Sequence, residues 1–252
     1  MRHELIVADD ADDASRRAAE VIARNLQTAV VERGSFTMAV SGGRSPWAMF
    51  HHLSRMDLPW EAVSVWQVDE RIAPAGDPDR NLVGLRNAVA SLAVTVNPMP
   101  VEELLDDTDL GDAGNSATGN NAIGNSAIGN SRPDRVVCDR YAASLPPTFD
   151  VIHLGLGPDG HTASLVPDDG VLDVMDRAVA ITSGTYQGRR RMTLTYPALA
   201  RSDQLLWLVT GADKRDALSG LLRGDAALPA SAVLSERSTI VADAAAAALI
   251  GP

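Results

Sequence analysis

The sequence predicts an α/β fold: a mainly parallel sheet covered by helices on both faces. Three observations carry this. Strand-like and helix-like segments alternate along the chain. The strand-like segments are near-continuous apolar runs rather than polar/apolar alternations, as expected for strands buried on both faces. The polar, glycine-rich motifs fall just after those runs, where open α/β sheets bind ligands.

Taken in order, residues 13–33 show helical spacing through Ala18, Val21, Ile22, Leu26 and Val30, and Gly34 follows as a C-terminal stop. FTMAVS (36–41) is a buried strand, and Pro46 opens the next helix through Phe50 and Leu53. VSVWQV (63–68) is a strand ending at Asp69-Glu70-Arg71, 81–92 is helical and VTV (94–96) is a strand. The helix 134–145 precedes the strong apolar strand FDVIHLGL (149–156). Further strands are expected at 178–182, 190–196, 204–210 and 238–243, with a helix over 213–223. The alanine run 244–248 reads as the end of a packed helix. Residues 114–131 break the pattern with a five-residue quasi-repeat of Gly, Asn, Ser, Ala and Ile. It reads as a flexible surface insertion, at about 111–131 of a single domain spanning 1–252; its composition does not offset the entropy of ordering.

Composition narrows the function. The 252 residues are 45% hydrophobic and 22% charged, ordinary for a globular chain, and a net charge of -11 argues against a nucleic-acid partner. An anionic small molecule remains open, because a few local cations suffice to hold a phosphate. The one cysteine, Cys138, excludes an intrachain disulfide, fits a cytoplasmic location and reads as a packed thiol. No apolar stretch is long enough to span a bilayer, and the N-terminus does not read as a signal peptide.

Three motifs carry chemistry. Ser41-Gly42-Gly43-Arg44-Ser45-Pro46 joins a buried strand to a helix. It reads as a phosphate cradle of exposed N–H groups and side-chain donors from Ser41, Arg44 and Ser45, or more simply as a tight turn. In Asp69-Glu70-Arg71, Arg71 can pair with a phosphate, and Asp69 can bind sugar hydroxyls or hold Arg71. The loop GLGPDGHTAS (155–164) presents Asp159 and His161 at a strand end. His161 is suited to take a proton from water and return it to a leaving oxygen. Asp159 either orients that ring or caps a following helix. Of Arg189-Arg190-Arg191, strand alternation sends Arg190 one way and its neighbours the other. Lys214, unfavourable at a helix start, suggests a second anion contact.

These motifs together resemble the 6-phosphogluconolactonase family and, more distantly, the glucosamine-6-phosphate deaminases. The matching pieces run in order: SGGRSP, DERIAP, DRN ending at Asn81, GLGPDGHTASLVP, RRRMTLTYPAL and GADKRDAL, across residues 41–218. The resemblance implies a Rossmann-like fold of the glucosamine-6-phosphate deaminase and ribose-5-phosphate isomerase type. It implies hydrolysis of 6-phospho-D-glucono-1,5-lactone to 6-phosphogluconate in the oxidative pentose phosphate pathway. No cofactor and no metal are expected, and the expected state is a monomer, with a dimer as the alternative. The SGGRSP loop and Lys214 would hold the 6-phosphate, Arg71 and Arg191 would add to the anion site, and His161 would be the general base with Asp159 beside it.

Three departures stand out. Arg80 replaces the family's Ser before Asn81, which would bring Arg80 nearer the pocket. Val166 stands where the family has Phe, and also where the deaminases carry a Glu five residues after the loop His. The insertion is no part of the family pattern. Without that Glu a deaminase-type isomerase lacks its second carboxylate. A non-catalytic sugar-phosphate sensor would need a DNA-binding module for which the segment before Ser41 leaves little room.

Overall fold

A computed structural model of the chain describes residues 3–105 and 132–250. The quasi-repeat at 114–131 lies outside the described residues. The elements run β1 (Glu4–Ala8), α1 (Ala11–Arg33), β2 (Phe36–Val40), α2 (Arg44–Leu53), β3 (Val63–Gln67), β4 (Asp69–Arg71), α3 (Asn81–Ala88) and β5 (Thr95–Asn97). They continue with α4 (Arg132–Ser144), β6 (Val151–Leu154), β7 (Val179–Ile181), β8 (Arg191–Leu194), α5 (Tyr196–Leu199), β9 (Leu205–Val209), α6 (Arg215–Arg223) and β10 (Ser238–Asp243). Short 3-10 turns lie between them.

Among the described residues seven strands form a sheet in the order β1-β10-β9-β6-β2-β3-β5, every pair parallel. A small antiparallel sheet, β4-β8-β7, packs beside it. Successive side chains of each central strand enter opposite cores, as the two-residue period requires. Met38, Val40, Leu206 and Leu208 meet Ile22, Leu26 and Phe50 on the α1–α2 side. Ala39, Ile152, Leu154 and Trp207 meet Tyr141, Leu218 and the small sheet's Met192 and Leu194 on the other. The expected two-sided parallel sheet is therefore present.

Helix α1 is framed by its ends. Asp10 accepts from the N–H groups of Asp12 and Asp13, and Gly34 closes the helix at φ 74 with its N–H on the Val30 carbonyl. Helix α2 starts at Arg44, so Pro46 sits within the first turn rather than opening it. That position is tolerated because the proline's missing N–H would have no intrahelical partner.

Three elements differ from expectation. ELIVA forms the edge strand β1, partly exposed, where no strand was expected. Asp69–Arg71, expected only as the charged end of the strand 63–68, is a strand of its own because β8 pairs with it. Residues 244–248 form turns, not a helix: Asp243 accepts from Ala246 N–H through its side chain and from Ala247 N–H through its carbonyl, closing the chain back on itself.

Strand β6 carries a fully buried histidine, His153, whose ring nitrogens have no hydrogen-bond partner among the described residues. Burial pushes its pKa down to about 4 from 6.5. The native ring stays neutral while the unfolded ring takes a proton, so stability is full above pH 6.5 and falls as the pH drops towards 4. The shift corresponds to about 3 kcal/mol across that window. Urea denaturation at pH 7 and pH 4.5 is expected to show a shallower acid loss for His153→Leu than for wild type. Identical losses in the two proteins would refute this.

Candidate active site

The sheet order sets β9, β6, β2 and β3 side by side, so the segments leaving their carboxyl ends converge. They enclose a cavity of 560 Å³ lined by Ser41, Gly42, Gly43, Arg44, Asp69, Arg71, Asn81, the 155–158 segment, His161, Tyr186, Arg191 and Lys214. A larger groove, of 960 Å³, lies at the opposite end of the sheet around Glu4, Asp150 and Gln204 and contains none of the motifs. The smaller cavity is where the chemistry collects. Four cations line it (Arg44, Arg71, Arg191 and Lys214) against two carboxylates, Asp69 and Asp213, and His161 lines it beside them. This cationic lining in a chain of net charge -11 suits a small anion.

The SGGR segment needs both glycines. A Cβ on Gly42 would come 2.0 Å from Asn81 Oδ1, and Gly43 has φ 129 at the start of α2. Ser41 ties β2 to β6: its N–H donates to the His153 carbonyl at 3.2 Å, and its hydroxyl oxygen accepts from Gly155 N–H at 3.4 Å. Ser45 does not line the cavity; its hydroxyl bonds Thr210 Oγ1 at 2.8 Å. Its expected place among the side-chain donors is corrected accordingly.

Asp69 and Arg71 part company. Arg71 Nη1 donates to Asn81 Oδ1 at 2.8 Å and to the Asp79 carbonyl at 2.6 Å. Asp69, fully buried, accepts from Ser164 Oγ at 2.7 Å and lies 3.8 Å from Arg191 Nη1. Asp69 thus holds Arg191 rather than Arg71. Burial pushes the Asp69 carboxyl above its ordinary range despite that guanidinium and the serine. Arg191 is itself buried, which lowers its pKa, and its Nε has no hydrogen-bond partner among the described residues. Arg190 points elsewhere, donating to the Leu104 carbonyl at 3.1 Å, and Arg189 pairs with Asp77 at 2.8 Å. Arg191 is the member of the triplet that lines the cavity.

Arg80 is corrected too. It is not a pocket residue: its buried guanidinium lies 3.1 Å from Glu70 and 2.8 Å from Glu102, and it donates to the Ala73 carbonyl. Lys214 reaches the cavity from the turn after β9 and lies 3.1 Å from Asp213. Gly211, at φ 99, begins that turn, and its N–H donates to both oxygens of Asp243.

In the third loop, Asp159 Oδ1 lies 2.5 Å from His161 Nδ1 and also accepts the His161 backbone N–H at 3.2 Å. The next helical element after the loop, the 3-10 turn Gly170–Asp173, is capped by Asp169, which removes the helix-cap alternative for Asp159. The contact with Asp159 assigns the neutral ring its proton on Nδ1 and leaves the Nε2 lone pair without a hydrogen-bond partner among the described residues. Burial raises the Asp159 pKa, but the hydrogen bond and charge of His161 outweigh it and the net shift is downward. The loop is tight enough to demand glycine: a Cβ on Gly157 would come 2.0 Å from His161 Nδ1, and one on Gly160, at φ 80, would come 2.5 Å from Leu228. A histidine with a carboxylate on one nitrogen and a bare lone pair on the other is equipped to deprotonate water.

Among the described residues no group of three or more His, Cys, Asp or Glu side chains is placed to hold a metal ion, and no helix is long and apolar enough to cross a membrane.

Residues 9–242 match the family model described as glucosamine-6-phosphate isomerases/6-phosphogluconolactonase. The chain belongs to this family. A 6-phosphogluconolactonase of Synechocystis is 34% identical over 214 residues, covering 83% of this chain and 81% of the relative. The crystal structure of 6-phosphogluconolactonase from Leishmania guyanensis superposes with a TM-score of 0.79 at 20% identity, covering all of both chains. A monomeric glucosamine-6-phosphate deaminase superposes with a TM-score of 0.76 at 17% identity, over 98% of this chain and 99% of that one. The fold of this family member is therefore shared by lactonase and deaminase alike, and its chemistry has to be read from the site.

Two residues escaped the sequence reading. Tyr186 lines the cavity and touches His161, with no motif around it to mark it. Glu70, inside the DER triplet, was given no role, yet its buried carboxylate organises the Arg71 and Asn81 backbone.

Proposed function

We propose that this protein hydrolyses 6-phospho-D-glucono-1,5-lactone to 6-phosphogluconate, the lactone step of the oxidative pentose phosphate pathway. The observation that carries it is the Asp159–His161 pair, with its free Nε2, at the rim of a cation-lined cavity. Relatives named 6-phosphogluconolactonase support it at 34% identity. His161 takes a proton from a water, which attacks the C1 carbonyl. The tetrahedral oxyanion collapses, the ring oxygen leaves, and His161 returns the proton to it. The SGGR loop and Lys214 hold the 6-phosphate, Arg71 and Arg191 complete the anion site, and this remote binding orients C1. No step calls for a metal or cofactor. The same reading gives a single domain acting as a cytoplasmic monomer, with the sugar phosphate as its partner.

The deaminase alternative has the weaker support. Its chemistry works at C2 with a second carboxylate, and the position where that Glu would stand is Val166, a buried apolar side chain. The test is turnover of freshly made lactone above its spontaneous hydrolysis, beside ammonia release from glucosamine 6-phosphate. Enzyme-proportional lactone hydrolysis without ammonia is expected. Ammonia release, or no rate above background, would overturn the assignment.

A further inference from the structure

Tyr186 lies outside every motif, yet its side chain touches both halves of the site. Its hydroxyl is 3.3 Å from Asp159 Oδ2 and 3.3 Å from His161 Nδ1. Its ring meets the imidazole edge-on, with centroids 5.0 Å apart. On its other side the Arg191 guanidinium carbon lies 5.1 Å from the ring centroid, and Arg191 Nη2 donates to the Tyr186 carbonyl at 3.3 Å.

The chain builds this placement deliberately. Tyr186 and Arg189 exchange backbone hydrogen bonds across a two-residue turn, Gln187-Gly188, with φ values of 53 and 79. Positive φ at both central residues is what a tight hairpin turn of this length uses. Asp169 fastens the incoming side by accepting from the N–H groups of Ser183 and Gly184, both at 2.9 Å. Gln187 Oε1 fastens the other by accepting from Arg191 Nη2 at 3.0 Å.

The proton inventory then selects a direction. With its proton on Nδ1, the His161 ring donates to Asp159 Oδ1 and has no lone pair there to offer the phenol. The Tyr186 hydroxyl is left with Asp159 Oδ2 as its acceptor. Burial, with the Asp159 charge behind it, raises the Tyr186 pKa, so the phenol stays a donor. Both carboxylate oxygens of Asp159 are then occupied, one by the ring and one by the phenol.

We infer that Tyr186 is a positioning residue: it fixes Asp159, through Asp159 the Nδ1–H form of His161, and joins that pair to Arg191 on the anion side. The catalytic half of this inference rests on the lactonase reading; the structural half does not.

The test is Tyr186→Phe, which keeps the ring and the hairpin and removes the hydroxyl. The first readout is the ring 15N spectrum of the neutral His161. Wild type should show a protonated Nδ1 and a bare Nε2, and the variant should show averaged signals from a mixture of tautomers. The second is steady-state kinetics on the lactone. Loss of one long hydrogen bond to the Asp159 carboxylate is expected to lower kcat about tenfold, the lower end for a bond to a charged group, with KM held within about twofold because the anion-binding groups are untouched. An unchanged ring spectrum overturns the inference whatever the activity. So does an unchanged kcat beside an active wild type, or a raised KM alone, which would make Tyr186 a substrate contact. An inactive wild type would count against the lactonase reading, while the ring spectra would still decide the role of Tyr186.

Discussion

His161→Ala is expected to lower kcat for 6-phosphogluconolactone by about 10²–10⁴-fold, the usual worth of a positioned general base. The size follows from what the side chain is asked to do. Water is a poor nucleophile until a base takes its proton, and the alanine variant leaves no other imidazole in the cavity to do so. His153 sits fully buried in β6 and does not line it. KM should change little, because Arg71, Arg191, Lys214 and the SGGR segment keep their positions, and an interaction made only in the transition state shows in kcat. The measurement is initial rate on fresh lactone with the spontaneous rate subtracted. A variant that stays within about threefold of wild type would remove His161 from the mechanism.

The features that were legible in the sequence share a physical cause. Strands such as LLWLV are buried on both faces, so their apolar runs are unmistakable. The glycines of the SGGR and GLGPDGH segments were legible because backbone must pass where a Cβ would collide with Asn81 or His161. What was not legible depends on partners distant in the chain. Asp69–Arg71 is three charged residues, and only pairing with β8 makes it a strand. The alanine run has high helix propensity, but capture of its N–H groups by Asp243 forms turns instead. Ser45 looks like a phosphate donor, yet its hydroxyl bonds Thr210, 165 positions away, and lies outside the cavity lining. Tyr186 meets Asp159 from 27 positions further along the chain, and no local spacing encodes that contact.

Glu70→Ala is expected to destabilise the fold by about 3–5 kcal/mol, the range for breaking a buried ion pair by removing one partner. The carboxylate is fully buried and heavily used. Oε1 accepts from the N–H groups of Arg71 at 2.8 Å and Asn81 at 2.7 Å; Oε2 accepts from Leu82 N–H at 2.8 Å and Gln67 Nε2 at 2.9 Å. Helix α3 has no side-chain cap of its own, so Glu70 supplies one from β4, with negative charge at the helix start where the dipole favours it. Alanine strands those donors and leaves Arg80, with 1% of its side chain exposed, facing an empty site. Asn81 begins α3 and carries Arg71, so the anion site should loosen along with the helix. The urea midpoint and the affinity for 6-phosphogluconate should therefore fall together. Removing the second buried charge as well, in Glu70→Ala/Arg80→Met, should recover part of the stability, because Glu102, the remaining partner of Arg80, is half-exposed and can be solvated. It should recover none of the affinity, because α3 still lacks its cap. A Glu70→Ala protein within about 1 kcal/mol of wild type would show that water or backbone satisfies those donors, and that the order of the anion site does not depend on Glu70.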